Sequence, residues 1–278
     1  MRRRDVRLAA ALLAGSLCAG SASAHDFWLQ PDQYQAQPHA SLPFTLQVGH
    51  GNERQRSQIR LNRIIRFQVV TPAGVTSDVR DTLQLRGATD DGRVTFQEAG
   101  THLLVLETDS SARSTLPAQR FNKYAMHEGL TPALEQRQQK HQMDTDASES
   151  FRRVSKAIVQ VGATDAPANG YVTAPVGLPL EIVPERNPYA ESRHDDFSVR
   201  VIFDGQPLAG ALVKLTLLEK DAVSLQANRT DSAGRARFSL SKGGTYLFSV
   251  VWTKALEPSA DVDFETTFSS LTLSSRVQ

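Results

Sequence analysis

The sequence has almost no cysteine and no long hydrophobic run. Its single cysteine among 278 residues is Cys18. If the segment around Cys18 is removed, the rest of the chain forms no disulfide and offers no thiolate ligand to a metal. No segment approaches the ~20 consecutive apolar residues that a transmembrane helix needs. Stability must therefore come from ordinary hydrophobic cores.

The first 24 residues have the pattern of a cleavable secretion signal. Four arginines precede an apolar stretch from Leu8 to Leu17, and Ala22-Ser-Ala24 supplies small residues at the cleavage site. A lipoprotein anchor at Cys18 is the competing interpretation, but Leu17 before it is not small. We expect cleavage after Ala24, a periplasmic location and His25 as the mature N-terminus.

The mature chain has no strong charge of either sign. The signal takes four Arg and one Asp with it, which leaves 27 basic against 29 acidic side chains and a formal charge of −2. Such a balance gives no electrostatic attraction to nucleic acid or anionic lipid. The remaining 254 residues are enough for two domains, each with its own core.

The pattern of short alternating apolar runs predicts a mainly β protein built from two β-sandwiches. In the first half such runs include Leu42–Val48, Ile65–Val69 and Thr101–Glu107, separated by turn residues. In the second half they include Phe197–Phe203 and Ala211–Leu217. The second sandwich is expected to be immunoglobulin- or transthyretin-like.

A helical insertion is predicted between about 117 and 154. Residues 118–128 end at Gly129, a typical helix C-cap, and Thr131-Pro132 has the cap and first-turn proline of a second helix. A third short helix is expected to contain Phe151 and Val154. The predicted domains are then 25–162, a linker at 163–175 and 176–278, the linker being rich in Gly, Ala and Pro.

His25 is the most distinctive candidate for chemistry. After cleavage it offers two nitrogen donors, the α-amine and the imidazole, and a divalent metal can displace the amine proton near neutral pH. One further imidazole would complete a three-nitrogen set suited to copper or nickel. The alternative is that cleavage leaves a histidine there by chance.

Two further histidines are candidate ligands in the same domain. His50 ends a strand between Gly49 and Gly51, and His102 follows Gly100-Thr101 in another strand. Each is equally an ordinary surface or core histidine. His127 and His141, with Met126 and Met143, are expected to be packing or solvated residues of the insertion rather than a soft metal site.

Several enzyme classes lack their motifs. The sequence has no G-x-S-x-G elbow, no phosphate-binding glycine loop and no H-E-x-x-H pair. The acidic stretch Asp144–Glu149 has neither the glycine nor the spacing of a calcium loop. No catalytic residues and no organic cofactor are therefore predicted, and the polar turn around His194 is expected to be loop surface.

The sequence resembles a family of periplasmic proteins described as nickel-uptake components and defined largely as a domain of unknown function. The matching segments cover nearly the whole mature chain: His25–Pro31, Val48–His50, Gly100–His102, Phe121–Tyr124, Glu128–Leu130, Glu149–Gly162, Leu180–Tyr189, Asp204–Leu208, Gly210–Val213, Thr230–Gly234, Val251–Thr253 and Asp263–Leu271. The Asp204–Val251 pattern also resembles the carboxypeptidase-regulatory type of sandwich.

The resemblance implies metal handling near a nickel or cobalt importer. By matching position it transfers His25, His50 and His102 as metal-facing residues. Some relatives have His-Met where this chain has Trp252-Thr253, and His where it has Leu178, so the expected ligand set of this chain differs from theirs.

Three functions remain open from the sequence. The leading hypothesis is a binding protein that captures Ni²⁺, Co²⁺ or Cu²⁺ through His25 and passes the ion to an inner-membrane transporter. The second is a copper oxidoreductase that uses the same histidine. The third is a metal-free envelope module that presents loops to a partner.

Overall fold

The computed structural model describes residues 26–163, 170–189, 196–220, 223–240, 243–257 and 261–275. Strands dominate, which confirms the prediction of a mainly β protein. The strands of the first half are β1 (Asp26–Pro31), β2 (Gln35–Ala36), β3 (Ser41–His50), β4 (Glu53–Arg56), β5 (Ile64–Val70), β6 (Thr76–Asp78), β7 (Gly92–Thr95), β8 (Gly100–Thr108), β9 (Ala112–Leu116) and β10 (Ala147–Val161).

Two helices lie between β9 and β10, namely α1 (Ala118–His127) and α2 (Thr131–Gln139). The strands of the second half are β11 (Leu180–Pro184), β12 (Asp196–Phe203), β13 (Gln206–Pro207), β14 (Leu212–Leu217), β15 (Gln226–Arg229), β16 (Arg235–Ser239), β17 (Gly244–Ala255) and β18 (Phe264–Ser275). Of the predicted linker, residues 164–169 lie outside the described residues, and Gly170–Thr173 form a 3₁₀ turn.

A ten-stranded sheet runs through both halves of the chain. Its order is β15-β14-β17-β18-β10-β8-β5-β6, with β2 and β9 also paired to β10. The two halves meet where β10 pairs in parallel with β18, from Glu149 opposite Phe264 to Ala157 opposite Thr272. Each half therefore contributes strands to one continuous sheet.

Two smaller sheets cover the opposite faces of this central sheet. One contains β1, β3, β4 and β7, and the other contains β11, β12, β13 and β16. Along β8, Leu104 and Leu106 pack in the first core, which lies against β1, β3 and β7. Leu103 and Val105 pack in the second core, which lies against β11 and β12. Because both faces of β8 are buried, its sequence is a continuous apolar run rather than an alternating one.

The helices form a third core with the ends of the neighbouring strands. Phe121 and Ala125 of α1 and Ala133 of α2 are buried against Phe264 and Phe268 of β18. Gly129 has a φ of 70°, and the Leu130 N–H donates to the Ala125 carbonyl, so the predicted C-cap closes α1.

The predicted third helix is wrong. Residues 147–161 are β10, which has neighbours on both edges. The spacing of Phe151 and Val154 suits a helix, but Phe151 pairs with Ala112 and Thr266 while Val154 enters the second core. Pairing partners distant in sequence therefore override the local pattern.

Candidate functional site

The start of β1 crosses the boundary between the two halves. Trp28 is fully buried and packs with Leu218 and Leu247 of the second half. The Leu29 N–H donates to the Ser155 hydroxyl at 2.8 Å, and the Thr272 hydroxyl donates to the Leu29 carbonyl at 2.9 Å. These contacts fix the direction of β1 up to its first described residue, Asp26.

His50 lies beside this first residue. Strand β1 pairs antiparallel with β3, with Asp26 opposite Gly49 and Phe27 opposite Val48. His50 follows Gly49, is half-buried, and faces Glu53 across the β3-β4 hairpin. His25 and His194 lie outside the described residues.

His102 lies at the other end of the first sandwich. Its ring centroid is 4.9 Å from that of Phe96, which directly follows β7. Thr95 of β7 pairs with Ser41, the residue at which β3 begins, whereas His50 is where β3 ends. A nine-residue step along a strand is about 30 Å, so the structure does not bring His102 and His50 together.

The surroundings of His102 are those of a core histidine. The side chain is buried and its Nδ1 lies 3.1 Å from the Gly100 carbonyl oxygen. Burial lowers the pKa of the imidazole, against the opposing effect of the Gly100 contact. Nε2 has no hydrogen-bond partner within the described part of the chain.

Charged side chains from both halves gather at the start of β1. Lys214 of β14 is buried, and its Nζ lies 2.7 Å from Oε1 of Glu128. His127, the last residue of α1, places Nδ1 2.9 Å from the same carboxylate oxygen and 3.1 Å from Lys214 Nζ. We call Asp26, His127, Glu128 and Lys214 the junction cluster.

The two carboxyls of the junction cluster titrate in opposite directions. Burial raises the pKa of Asp26 to about 6, Glu128 adds to the shift, and Lys214 and a hydrogen bond from Ser249 oppose it. Burial also acts to raise the pKa of Glu128, but the contacts with His127 and Lys214 outweigh it and the pKa is lowered. Glu128 is therefore the carboxylate that holds the Lys214 ammonium.

The described residues alone contain no complete metal site. Across residues 26–275, apart from the gaps stated above, no three His, Cys, Asp or Glu side chains are grouped so that they could hold an ion. His50 and the junction cluster supply single donors near the start of β1. A metal there would need ligands from residue 25.

The junction cluster was not predicted from the sequence. Its carboxylate and its ammonium are 86 positions apart in the chain. One signal was present, because Lys214 interrupts the apolar strand Leu212–Leu217. A lysine in such a strand needs a buried partner or an exit to water, and here the partner is Glu128.

Neither helix in the described residues is long and apolar enough to cross a membrane.

Comparisons with known proteins identify a family but no function. The family model described as "Domain of unknown function (DUF4198)" matches residues 22–254. A search of curated proteins finds no match. One similar solved structure is the D0-D1 domain of intimin, at 11% identity and a TM-score of 0.21, with 88% of this chain and 96% of that chain covered. A similarity of that level carries no functional information.

Proposed function

We propose, from the premise that this chain belongs to the DUF4198 family of unknown function, that it is a periplasmic metal-binding protein. The ion is a divalent transition metal (nickel, cobalt or copper), bound through the amine and imidazole of a mature N-terminal His25. The protein breaks no bond and passes its ion to a membrane transporter. This activity requires that the protein bind the ion, that the site be accessible to solvent, and that the ion can be released to the transporter.

The register of β1 and β3 is the observation that carries the proposal. Asp26, the residue that follows the proposed N-terminal histidine, is opposite Gly49, and His50 is the next residue of β3. The His50 imidazole is therefore carried by the strand that ends beside the first described residue of β1.

The charges around the start of β1 suit a bound cation. Asp26 and Glu128 supply two carboxylates against the single ammonium of Lys214. The surplus negative charge favours a divalent ion beside the first residue. His102 is not part of this proposal, because it lies at the opposite end of β3.

Calorimetric titration with Ni²⁺, Co²⁺ and Cu²⁺ tests the proposal. The mature chain that begins at His25 is compared with a chain carrying one additional glycine before His25, which moves the amine away from the imidazole. We expect the extra glycine to weaken binding by about tenfold or more, because even the loss of a group that only orients a metal ligand costs roughly 10–100-fold. Equal affinities of the two chains would exclude the amine-and-imidazole site.

A matched pair of substitutions tests the partner histidine. His50→Asn is expected to weaken metal binding, whereas His39→Asn, two residues before β3 begins, leaves it unchanged. Asn tolerates the positive φ of 65° at position 39, so the control variant keeps its backbone. Equal loss in both variants would contradict the role of His50. Mass spectrometry of the exported protein checks that it begins at His25.

One observation favours a second candidate, a metal-free envelope module. The Lys214 ammonium already provides the junction cluster with a cation, 2.7 Å from Glu128. Metal analysis of protein purified from the periplasm separates the two functions. A stoichiometric metal content supports the metal-binding protein, and its absence together with no calorimetric heat supports the module.

A further inference from the structure

A second site lies at an open end of the sandwich formed by the second half. A cavity of about 370 Å³ opens there between β10, β17 and β18 on one side and the segments 175–181 and 202–205 on the other. Its volume falls at the lower end of the range for pockets that hold small organic molecules. We call this cavity the end pocket.

The floor of the end pocket is polar because the core stops there. On this face of the central sheet, the row of Val154, Ser269 and Val250 still contributes to the apolar core. The next row is Arg152, Thr267 and Trp252, and Glu265 and Lys254 are paired one row further. Within two rows, charged and hydroxyl-bearing side chains thus replace most of the aliphatic ones.

The opposite wall is apolar and rigidly held. Leu178, Pro179, Ile202 and Phe203 line it. The carboxylate of Glu181 accepts hydrogen bonds from the backbone N–H groups of residues 176, 177 and 178, and it forms a 2.7 Å ion pair with Lys156. This wall is therefore formed before any ligand arrives.

Three of the five charged side chains that line the end pocket are held in ion pairs. Glu181 pairs with Lys156 and accepts from three N–H groups, and Glu265 pairs with Arg152, which also lies 3.9 Å from Glu107. Lys254 lies beside them, is exposed, and has no ion pair within the described residues. Asp204 lies at the mouth on the opposite wall, where it is exposed and solvent screens its charge.

We propose that the end pocket binds a small organic carboxylate with an apolar body. The carboxylate pairs with Lys254 and accepts a hydrogen bond from the Thr267 hydroxyl. The apolar body packs on Leu178, Pro179 and Phe203. The proposed role of the end pocket is to bind this ligand, without any chemical step. The pocket is separate from the junction cluster, which lies on the other face of the central sheet.

Trp252 provides the reporter for a direct test. It is partly buried and pairs with Thr267 on the pocket floor, whereas Trp28 is fully buried in another core. The mature chain is titrated with 3-phenylpropanoate while its tryptophan fluorescence is followed. We expect a saturable change that Trp252→Phe abolishes, and calorimetry of the same titration covers the case of a silent tryptophan.

Matched variants and ligands decide the chemistry. Lys254→Gln is expected to weaken binding about tenfold, the usual effect of losing a charged hydrogen-bond donor, and Lys123→Gln on α1 leaves it unchanged. The alcohol 3-phenylpropan-1-ol should bind more weakly than the acid. No saturable binding by either method, equal affinity of Lys254→Gln and wild type, or equal or tighter binding of the alcohol or of phenethylammonium would overturn the proposal.

Discussion

Two buried carboxylates show how differently one fold accommodates the same group. Glu181 in β11 and Lys156 in β10 are each 1% exposed at the side chain, and they pair with each other at 2.7 Å. Three backbone N–H groups complete the surroundings of Glu181. Burial lowers the pKa of Lys156, and the charge of Glu181 opposes that shift.

Glu149 lies at the other end of β10, against the helical insertion, and receives only hydroxyls. Thr266 donates at 2.5 Å and Ser114 at 2.9 Å. Burial raises the pKa of Glu149, and these two hydrogen bonds reduce the shift without cancelling it. Tyr124 lies nearby, and its buried hydroxyl has no partner among the residues described.

The comparison teaches that burial alone does not determine the charge of a carboxyl group. An ammonium and three N–H donors surround the carboxylate of Glu181, whereas burial raises the pKa of Glu149 and its two hydroxyl donors only reduce that shift. The first arrangement fixes a charged pair in place. The second leaves a group whose protonation depends on pH.

Breaking the charged pair should have the largest effect. Lys156→Met leaves the Glu181 carboxylate buried without its cation, and we expect a loss of about 3–5 kcal/mol in the free energy of unfolding. Lys254→Met, an exposed lysine on the same face of the sheet, should change it by less than about 0.5 kcal/mol. Chemical denaturation followed by circular dichroism measures both variants. Similar losses would contradict this account of the pair.

Removing a hydroxyl group that donates to the Glu149 carboxylate should have an intermediate effect on stability. Thr266→Val deletes the 2.5 Å donor and should lower the free energy of unfolding at pH 7 by about 1.5–3 kcal/mol, as for other hydrogen bonds to charged groups. Thr267→Val is the adjacent control, because its side chain lies on the opposite face. If the control variant lost as much stability, the effect would belong to the strand rather than to the carboxylate.

Neutralising Glu149 should have the smallest effect and the opposite sign. Its raised pKa means that the folded state loses stability as pH rises from its ordinary value of 4.5 through the raised value. The glutamine of Glu149→Gln does not titrate, so the variant does not lose this stability. Its free energy of unfolding should match that of wild type in acid and exceed it by on the order of 1 kcal/mol at pH 7. Denaturation curves at several pH values provide the comparison, and a variant that is less stable than wild type at pH 7 would refute it.

Most of the fold could be predicted from local patterns. The alternating runs at Leu42–Val48 and Phe197–Phe203 fall in β3 and β12, and the run Ala211–Leu217 begins one residue before β14. Helix α1 with its Gly129 cap and helix α2 with Pro132 also follow from short-range signals. These signals suffice because period and capping depend on neighbours within a few residues.

The pairing of distant strands left no local signal. Glu149 and Phe264 are opposite each other although more than a hundred residues separate them, and their parallel pair joins the halves. For the same reason the sequence could not reveal that Glu128 meets Lys214, or that His102 lies far from His50. One strand register decides each of these relationships, and it is a property of the assembled sheet.

The parallel pairing of β10 with β18 has a consequence for how the protein is made. Residues 264–275 leave the ribosome after every other described strand, so the edge of β10 that they cover has no partner while β11 to β17 are synthesised. An uncovered strand edge is a template for pairing with other chains. A shortened chain that lacks β18 would therefore expose this edge of β10. Such a chain would be prone to aggregation and to proteolysis.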